Sequence, residues 1–315
     1  MNAVFLALQI LITISVGVIG RKLKIIDSDM IKKVSPLLTE LGIPCLIVYT
    51  FAILEFDADS FRSALILMLV CLFEVVLLYI LGFALRVFIK DSHKRSIASY
   101  SSIFSNATFM GIPIVQGLYG AEGMFYYMMF NMPIRILYYV CIPLLLAPHD
   151  EKKFDFKEIL GVLKSPPLVA LYIAIAIYLL QIKLPSFILN PLGNINTLVS
   201  TMGIIMIGIT VADVNVKEVL KDLSNLILPI EKVVVAPLVT LLVLKVLFSG
   251  ILPPISIAVS VMYAALPMAT MTTVFATKYY EGETVRWISL ETVISTLLSV
   301  ATIPALAVIM EFVLF

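Results

Sequence analysis

The sequence predicts an all-α integral membrane protein: ten transmembrane helices arranged as two inverted five-helix repeats, with helices four and nine broken inside the membrane. Three observations carry this. The composition is 61% hydrophobic and 14% charged, with a mean hydropathy of +1.07, whereas soluble domains hold about 25% charged residues. The apolar residues fall into ten runs of span length. The chain also matches itself at an offset of 161 residues, which puts two interrupted runs in corresponding places.

A spanning helix takes roughly 20 mostly apolar residues. Between charged clusters such runs lie at about 2–20, 33–54, 61–88, 96–119, 122–147, 162–181, 190–211, 225–248, 254–277 and 285–314. The polar stretch "APHDEKKFDFKEILGVLKSPP" divides the chain into a first repeat over 1–147, a cytoplasmic linker over 148–161 and a second repeat over 162–315. The opening "MNAVFLALQILITISVGVIG" has no basic n-region and no obvious cleavage site, so it is expected to be the first span and not a removed signal. Cys45, Cys71 and Cys141 sit in apolar runs without metal-ligand spacing, and read as small buried hydrophobes. A formal net charge of +1 gives no electrostatic reason to expect a nucleic-acid partner.

Lysine and arginine fix the orientation. Of the 22 in the chain, 17 fall in the loops after the odd-numbered spans. They are Arg21, Lys22, Lys24, Lys32 and Lys33; Arg86, Lys90, Lys94 and Arg95; Lys152, Lys153, Lys157 and Lys164; Lys217 and Lys221; Lys278 and Arg286. The other side holds Arg62, Lys183 and Lys245, while Arg135 and Lys232 lie within spans. Cytoplasmic loops carry the basic excess, so both termini are expected outside the cytoplasm.

The repeat aligns "YGAEGMFYYMMFNMPIRILYYVCIPLLL" from Tyr119 with "YEGETVRWISLETVISTLLSVATIPALA" from Tyr280. Glu122 meets Glu283, Leu137 meets Leu298, Ile142 meets Ile303 and Pro143 meets Pro304. Carried backwards, the same offset sets Asn106 opposite Pro267 and Met110 opposite Met271. Spans two and seven also begin alike, with "SPLL" at Ser35 and "NPLG" at Asn190. An odd number of spans per half turns the halves upside down relative to each other, and inverted repeats with paired interrupted helices mark secondary transporters.

The interruptions are "SNATFMGIPIVQGLYG", with Asn106, Gly111, Pro113 and Gly117, and "ALPMATMTTVFATKYY", with Pro267, Thr270, Thr272 and Thr273. One proline alone reads as a packing kink, since Gly and Pro are common in membrane helices. Two breaks in corresponding spans read as a site. Each backbone group orphaned in hydrocarbon costs several kcal/mol, so breaks persist where protein or water lines the gap. Half-helix N-termini facing that gap favour an anion.

Ionisable residues inside spans are costly and are functional candidates. Glu74 lies midway along span three and Arg135 midway along span five; Asn131 shares the face of Arg135 one turn earlier. The repeat counterpart of Asn131 is Thr292, beside Glu291. Two roles are open to Arg135: a buried structural pair with Glu74, or a ligand for a substrate carboxylate. Glu40, Glu231 and Lys232 lie nearer the cytoplasmic ends and are expected to reach the interface, and Asp213 reads as a solvated boundary charge. The candidate substrate-binding residues are therefore Asn106, Thr108, Pro113, Asn131, Arg135, Pro267, Met268 and Thr270, with Glu74 and Glu291 in charge pairing or coupling. No metal ligand set and no cofactor is expected; proton coupling, sodium coupling and uniport all fit.

No HExxH, paired Asp-rich or Gly-Lys-Ser/Thr motif occurs, and His93 and His149 lie apart in loops, so no enzyme is expected. A membrane sensor or a channel of the same fold is the alternative. The sequence shows no soluble output domain for a sensor, and the inverted repeat favours alternating access over a channel.

These segments resemble the auxin efflux carrier family, which includes plant PIN-type carriers and bacterial malate and malonate permeases. "SNATFMGIPIVQGLYG" is similar to the fourth-span motif of the family, and "ALPMATMTTVFATKYY" to its ninth-span Ala-Leu-Pro segment. "KKVSPLLTELGIPCLIVYTFA" and "STMGIIMIGITVADV" resemble its second and seventh spans. The resemblance covers essentially the whole chain, which lacks the long central loop of full-length plant carriers. It implies a fold like that of sodium/proton antiporters and bile-acid transporters. Spans 1, 2, 6 and 7 would form a scaffold, and spans 3–5 and 8–10 a core whose fourth and ninth helices cross at Asn106, Pro113 and Pro267. Where plant carriers tend to have Gln-Gly-Ile, this chain has Met268, Ala269 and Thr270. The resemblance implies a small organic anion, malate-like or auxin-like, carried across the plasma membrane by a homodimer joined through the scaffold.

Overall fold

The computed structural model describes residues 3–27, 29–147, 156–212 and 223–315. Most of the linker, with His149, Lys152 and Lys153, lies outside the described residues, as do Asp213, Lys217 and Lys221. The described chain is helical: α1 Ala3–Lys22, α2 Asp29–Leu37, α3 Ile43–Ala52, α4 Ala58–Ala84, α5 Ser92–Ile103, α6 Ile112–Cys141, α7 Phe156–Leu163, α8 Pro166–Leu180 and α9 Ser186–Ala212. There follow α10 Ile227–Ile230, α11 Ala236–Phe248, α12 Pro254–Ala265, α13 Thr270–Ala276 and α14 Glu283–Leu314.

Six helical runs among the described residues are long and apolar enough to cross a membrane: Lys33–Ala52, Ala58–Val87, Ala107–Leu146, Ser186–Ala212, Ile227–Phe248 and Glu283–Leu314. Pro166–Leu180 and Pro254–Ala265 are apolar and shorter. At 1.5 Å per residue, the 40 residues of Ala107–Leu146 would stretch about 60 Å, twice the hydrocarbon thickness of about 30 Å. The run is in fact two helices. Gly120, at φ 59° and ψ −150°, breaks it. Nothing lies within 4 Å of where its Cβ would be, so glycine is required there by the backbone angle and not by space. The corresponding turn ahead of α14 uses another glycine of positive φ, Gly282 at 60°.

Prolines shape the other helices. Three of them widen into one π turn just ahead of a proline: Leu38–Gly42 before Pro44, Ala107–Gly111 before Pro113 and Glu231–Val235 before Pro237. A proline lacks the N–H and presses its ring against the carbonyl four residues back. Opening the ladder by one residue relieves both problems without ending the helix. These turns hold Glu40, Thr108, Glu231 and Lys232.

The outward faces are apolar. On α4, Leu65, Leu69, Leu72, Phe73, Val76, Ile80 and Phe83 are exposed along one helical stripe, while the buried stripe contains Glu74. That is the reverse of a soluble amphipathic helix and is the pattern expected in lipid. Inside, α1 and α9 pack almost backbone to backbone. A Cβ on Gly17 would lie 2.2 Å from the Ile205 carbonyl oxygen, and one on Gly208 would lie 2.0 Å from that of Ile14. Small residues allow such approach where no hydrophobic driving force separates helix from lipid.

Candidate functional site

The two interruptions meet. α5 ends at Ile103 and helix resumes at Ala107; α12 ends at Ala265 and helix resumes at Thr270. Between these ends Ser105 and Met268 form an antiparallel β-bridge. Asn106 N donates to Pro267 O at 2.8 Å, and Ala269 N donates to Phe104 O at 3.1 Å. Each break therefore satisfies backbone groups that the other would leave orphaned in an apolar interior. The Asn106 side chain caps the resumed helix, its Oδ1 accepting from Phe109 N at 3.3 Å. Its carbonyl oxygen is committed to that cap, so its NH2 is what it can offer a ligand.

A cavity of about 640 Å³ opens beside the crossing. Asn106, Thr108, Asn131, Arg135 and Thr270 all line it, with Glu40 from the π turn of the second helical run. Tyr138, Tyr139, Phe109 and Phe275 supply aromatic wall. Asn131 Nδ2 donates to Tyr127 O at 2.8 Å, one turn back on its own helix. Tyr127 in turn donates from its hydroxyl to Ala107 O at 2.9 Å, which ties α6 to the start of the resumed helix. Arg135 makes one hydrogen bond among the described residues, from Nη2 to Thr108 Oγ1 at 3.5 Å. A guanidinium has five N–H donors, so most of its donors are left to whatever fills the cavity.

Three candidates from the sequence do not line this cavity. Pro113 sits in the first turn of α6 and packs on Gly203 of α9, where an added Cβ would meet its ring at 2.8 Å. Pro267 acts through its carbonyl, in the crossing itself. Met268 is fully buried, and its N–H donates to Ser295 Oγ at 3.2 Å. The break in the first half lies at residues 104–106, ahead of Pro113, whose missing N–H is accommodated by the π turn Ala107–Gly111 within the resumed helix.

Of the two roles open to Arg135, the pairing with Glu74 is not what the structure contains. Glu74, 1% exposed, accepts through Oε2 from Ser260 Oγ on α12. Its cationic neighbour is Lys232. Lys232 and Glu231, expected at the interface, are 0% and 4% exposed. Lys232 Nζ donates to Ser102 O, at the end of α5, at 2.8 Å and lies 5.9 Å from the centre of the Tyr263 ring. Ser102 Oγ donates to Glu231 Oε2 at 2.9 Å. Similar depth along two spans did not make Glu74 and Arg135 neighbours: Glu74 faces Ser260 and Lys232, and Arg135 faces the cavity and Thr108. Glu291, 1% exposed, lines a separate cavity of about 240 Å³ with Lys90, Lys94 and Trp287.

Glu231, Lys232, Ser102, Ser260 and Tyr263 were thus missed as a functional cluster. The available signal was the place of Glu231 and Lys232 inside a span, where ionisable residues are costly.

Residues 3–306 match the family described as Mem_trans, membrane transport protein. No individual curated protein matches the chain.

Proposed function

The chain belongs to the auxin efflux carrier family of membrane transport proteins, and on that premise we propose that it is a secondary carrier for a small organic anion working by alternating access. The supporting observation is Arg135: a guanidinium beside the helix crossing, in a 640 Å³ cavity, with a single long hydrogen bond to protein. An uncompensated arginine in a membrane interior costs at least about 2.5–3.5 kcal/mol on insertion scales. A substrate carboxylate offsets that cost. Asn106, through its NH2, and Thr108, through its hydroxyl, stand on the same wall to donate to it, and the start of the resumed helix adds partial positive charge.

In this reading the ten apolar runs form two inverted repeats, over 1–147 and 162–315, and the crossing is their meeting point. The positive-inside bias places both termini outside the cytoplasm of a plasma membrane. The cavity then opens to the cytoplasm, since Glu40, Gly161 and Ser165 on its wall lie at that end of their helices. Charge moves with the anion, and a proton or sodium ion is a suitable companion.

The test is uptake of radiolabelled carboxylates into proteoliposomes. Wild type should accumulate at least one of them. Asn106→Leu, at matched insertion, should lose uptake, because leucine can neither cap the resumed helix nor donate to a carboxylate. Wild-type kinetics in Asn106→Leu would remove the crossing from the mechanism.

A further inference from the structure

The cavity that holds Arg135 also holds a carboxylate, which a plain anion bound on Arg135 would not contact favourably. Glu40 and Arg135 are the charged residues among the described lining. Glu40 projects from the π turn Leu38–Gly42 and is exposed. It lies close enough to act electrostatically on Arg135. Yet neither of the ion pairs between described residues includes it, those being Arg21 with Asp27 and Lys94 with Glu283. One guanidinium and one carboxylate thus face the same space without neutralising each other.

A simple anion on Arg135 would meet repulsion from Glu40, and a dicarboxylate would meet it twice over, with no second cation on the described wall. A molecule with one carboxylate and one ammonium meets attraction at both ends. The rest of the wall is largely aromatic and apolar, with Tyr138, Phe109 and Phe275 suited to a hydrophobic side chain.

The geometry points to a zwitterionic substrate, a small amino acid with an apolar side chain, whose carboxylate lies on Arg135 and whose ammonium lies on Glu40. This rests on the reading of Arg135 as a carboxylate ligand in a carrier, and replaces the net anion of that reading with a carboxylate balanced by an ammonium on the same molecule. It makes Glu40 the residue that selects amine-bearing acids over plain ones. Attraction between unit charges a few ångströms apart, in surroundings between protein and water, is ample for such a preference.

The test uses the purified full chain in detergent and binding by thermal shift. Apolar amino acids such as phenylalanine and leucine are each titrated beside the deaminated acid and the decarboxylated amine, 3-phenylpropanoate with 2-phenylethylamine and 4-methylpentanoate with isopentylamine. At least one amino acid should bind about tenfold or more tightly than both of its counterparts, a difference easily read from apparent Kd. Glu40→Gln should remove that preference by weakening the amino acid while sparing or improving the plain acid. Glu40→Asp, which keeps the charge, should retain the preference and shows whether the site survives substitution. Equal binding of acids with and without the amine, or a ratio unchanged in Glu40→Gln, would overturn the inference and leave the carboxylate carrier standing. Failure of every carboxylate to bind would bring down both.

Discussion

Two cations lie near the helix crossing, and the protein treats them differently. Lys232, behind the crossing, is fully buried, gives a 2.8 Å hydrogen bond to the Ser102 carbonyl and has acidic neighbours in Glu231 and Glu74. Arg135, beside the crossing, faces a cavity and makes one hydrogen bond among the described residues, at 3.5 Å. The first charge is satisfied by the fold. The second is held in reserve. Burial with full pairing is a structural device, since removing one partner strands the others in a low-dielectric interior. Burial with open donors costs stability in the resting protein, and a ligand is what repays it.

The largest expected effect comes from breaking the satisfied side. Lys232→Met leaves Glu231 and Glu74 without their cation and frees the Ser102 carbonyl at the end of α5. The expected loss is about 3–5 kcal/mol, the range for uncompensated buried charge, read as a lower thermal midpoint or loss of monodisperse protein in detergent. Wild-type stability in Lys232→Met would erase the contrast between the two cations.

A smaller effect is expected on the open side. Arg135→Gln gives up one long hydrogen bond and relieves a buried charge, so ligand-free stability should fall by no more than about 1 kcal/mol and rise where relief of the charge outweighs the lost bond. A loss as large as that of Lys232→Met would mean that Arg135 is structural after all.

The smallest effect sharpens the comparison along a single helix. α5 is held at both ends: Lys232 takes the Ser102 carbonyl at one, and Asp91 caps the other, accepting from His93 N at 2.8 Å and Lys94 N at 3.0 Å. Those amides hold the Asp91 carboxyl below its usual range. A folded-state pKa depressed in this way contributes stability above the unfolded value of about 3.9 and loses it as pH falls through the folded value. Asp91→Ala should therefore cost about 1 kcal/mol at neutral pH, with the difference from wild type shrinking on acidification below pH about 4. A pH-independent difference in thermal midpoint would show that the cap charge is not what stabilises this end.

The parts of the site that were legible in the sequence are those set by residue type. Asn106 and Pro267 each mark an interruption, and the structure places a break at both; Gly120, where the long run turns, was not singled out. The meeting of Asn106 with Pro267 was foreshadowed by the 161-residue offset, and the structure joins them by a hydrogen bond. What failed was the assignment of partners by depth. Counting residues along a span assumes regular helices crossing side by side, and that assumption put Glu74 with Arg135 and sent Lys232 to the interface. The π turns ahead of Pro44, Pro113 and Pro237 rotate everything that precedes them, so residues at one depth face different neighbours. Pro113 misled for a related reason: a proline suggests a break where it stands, whereas here the helix restarts ahead of it at Ala107.

The central claim is that Arg135 is kept for a ligand. Its most direct test is ligand-induced stabilisation of wild type and Arg135→Gln, measured as the shift in thermal midpoint with any carboxylate that wild type binds. The account predicts a concentration-dependent rise in wild type, as mass action on the folded state requires, and none in Arg135→Gln. A rise of equal size in both proteins would contradict it.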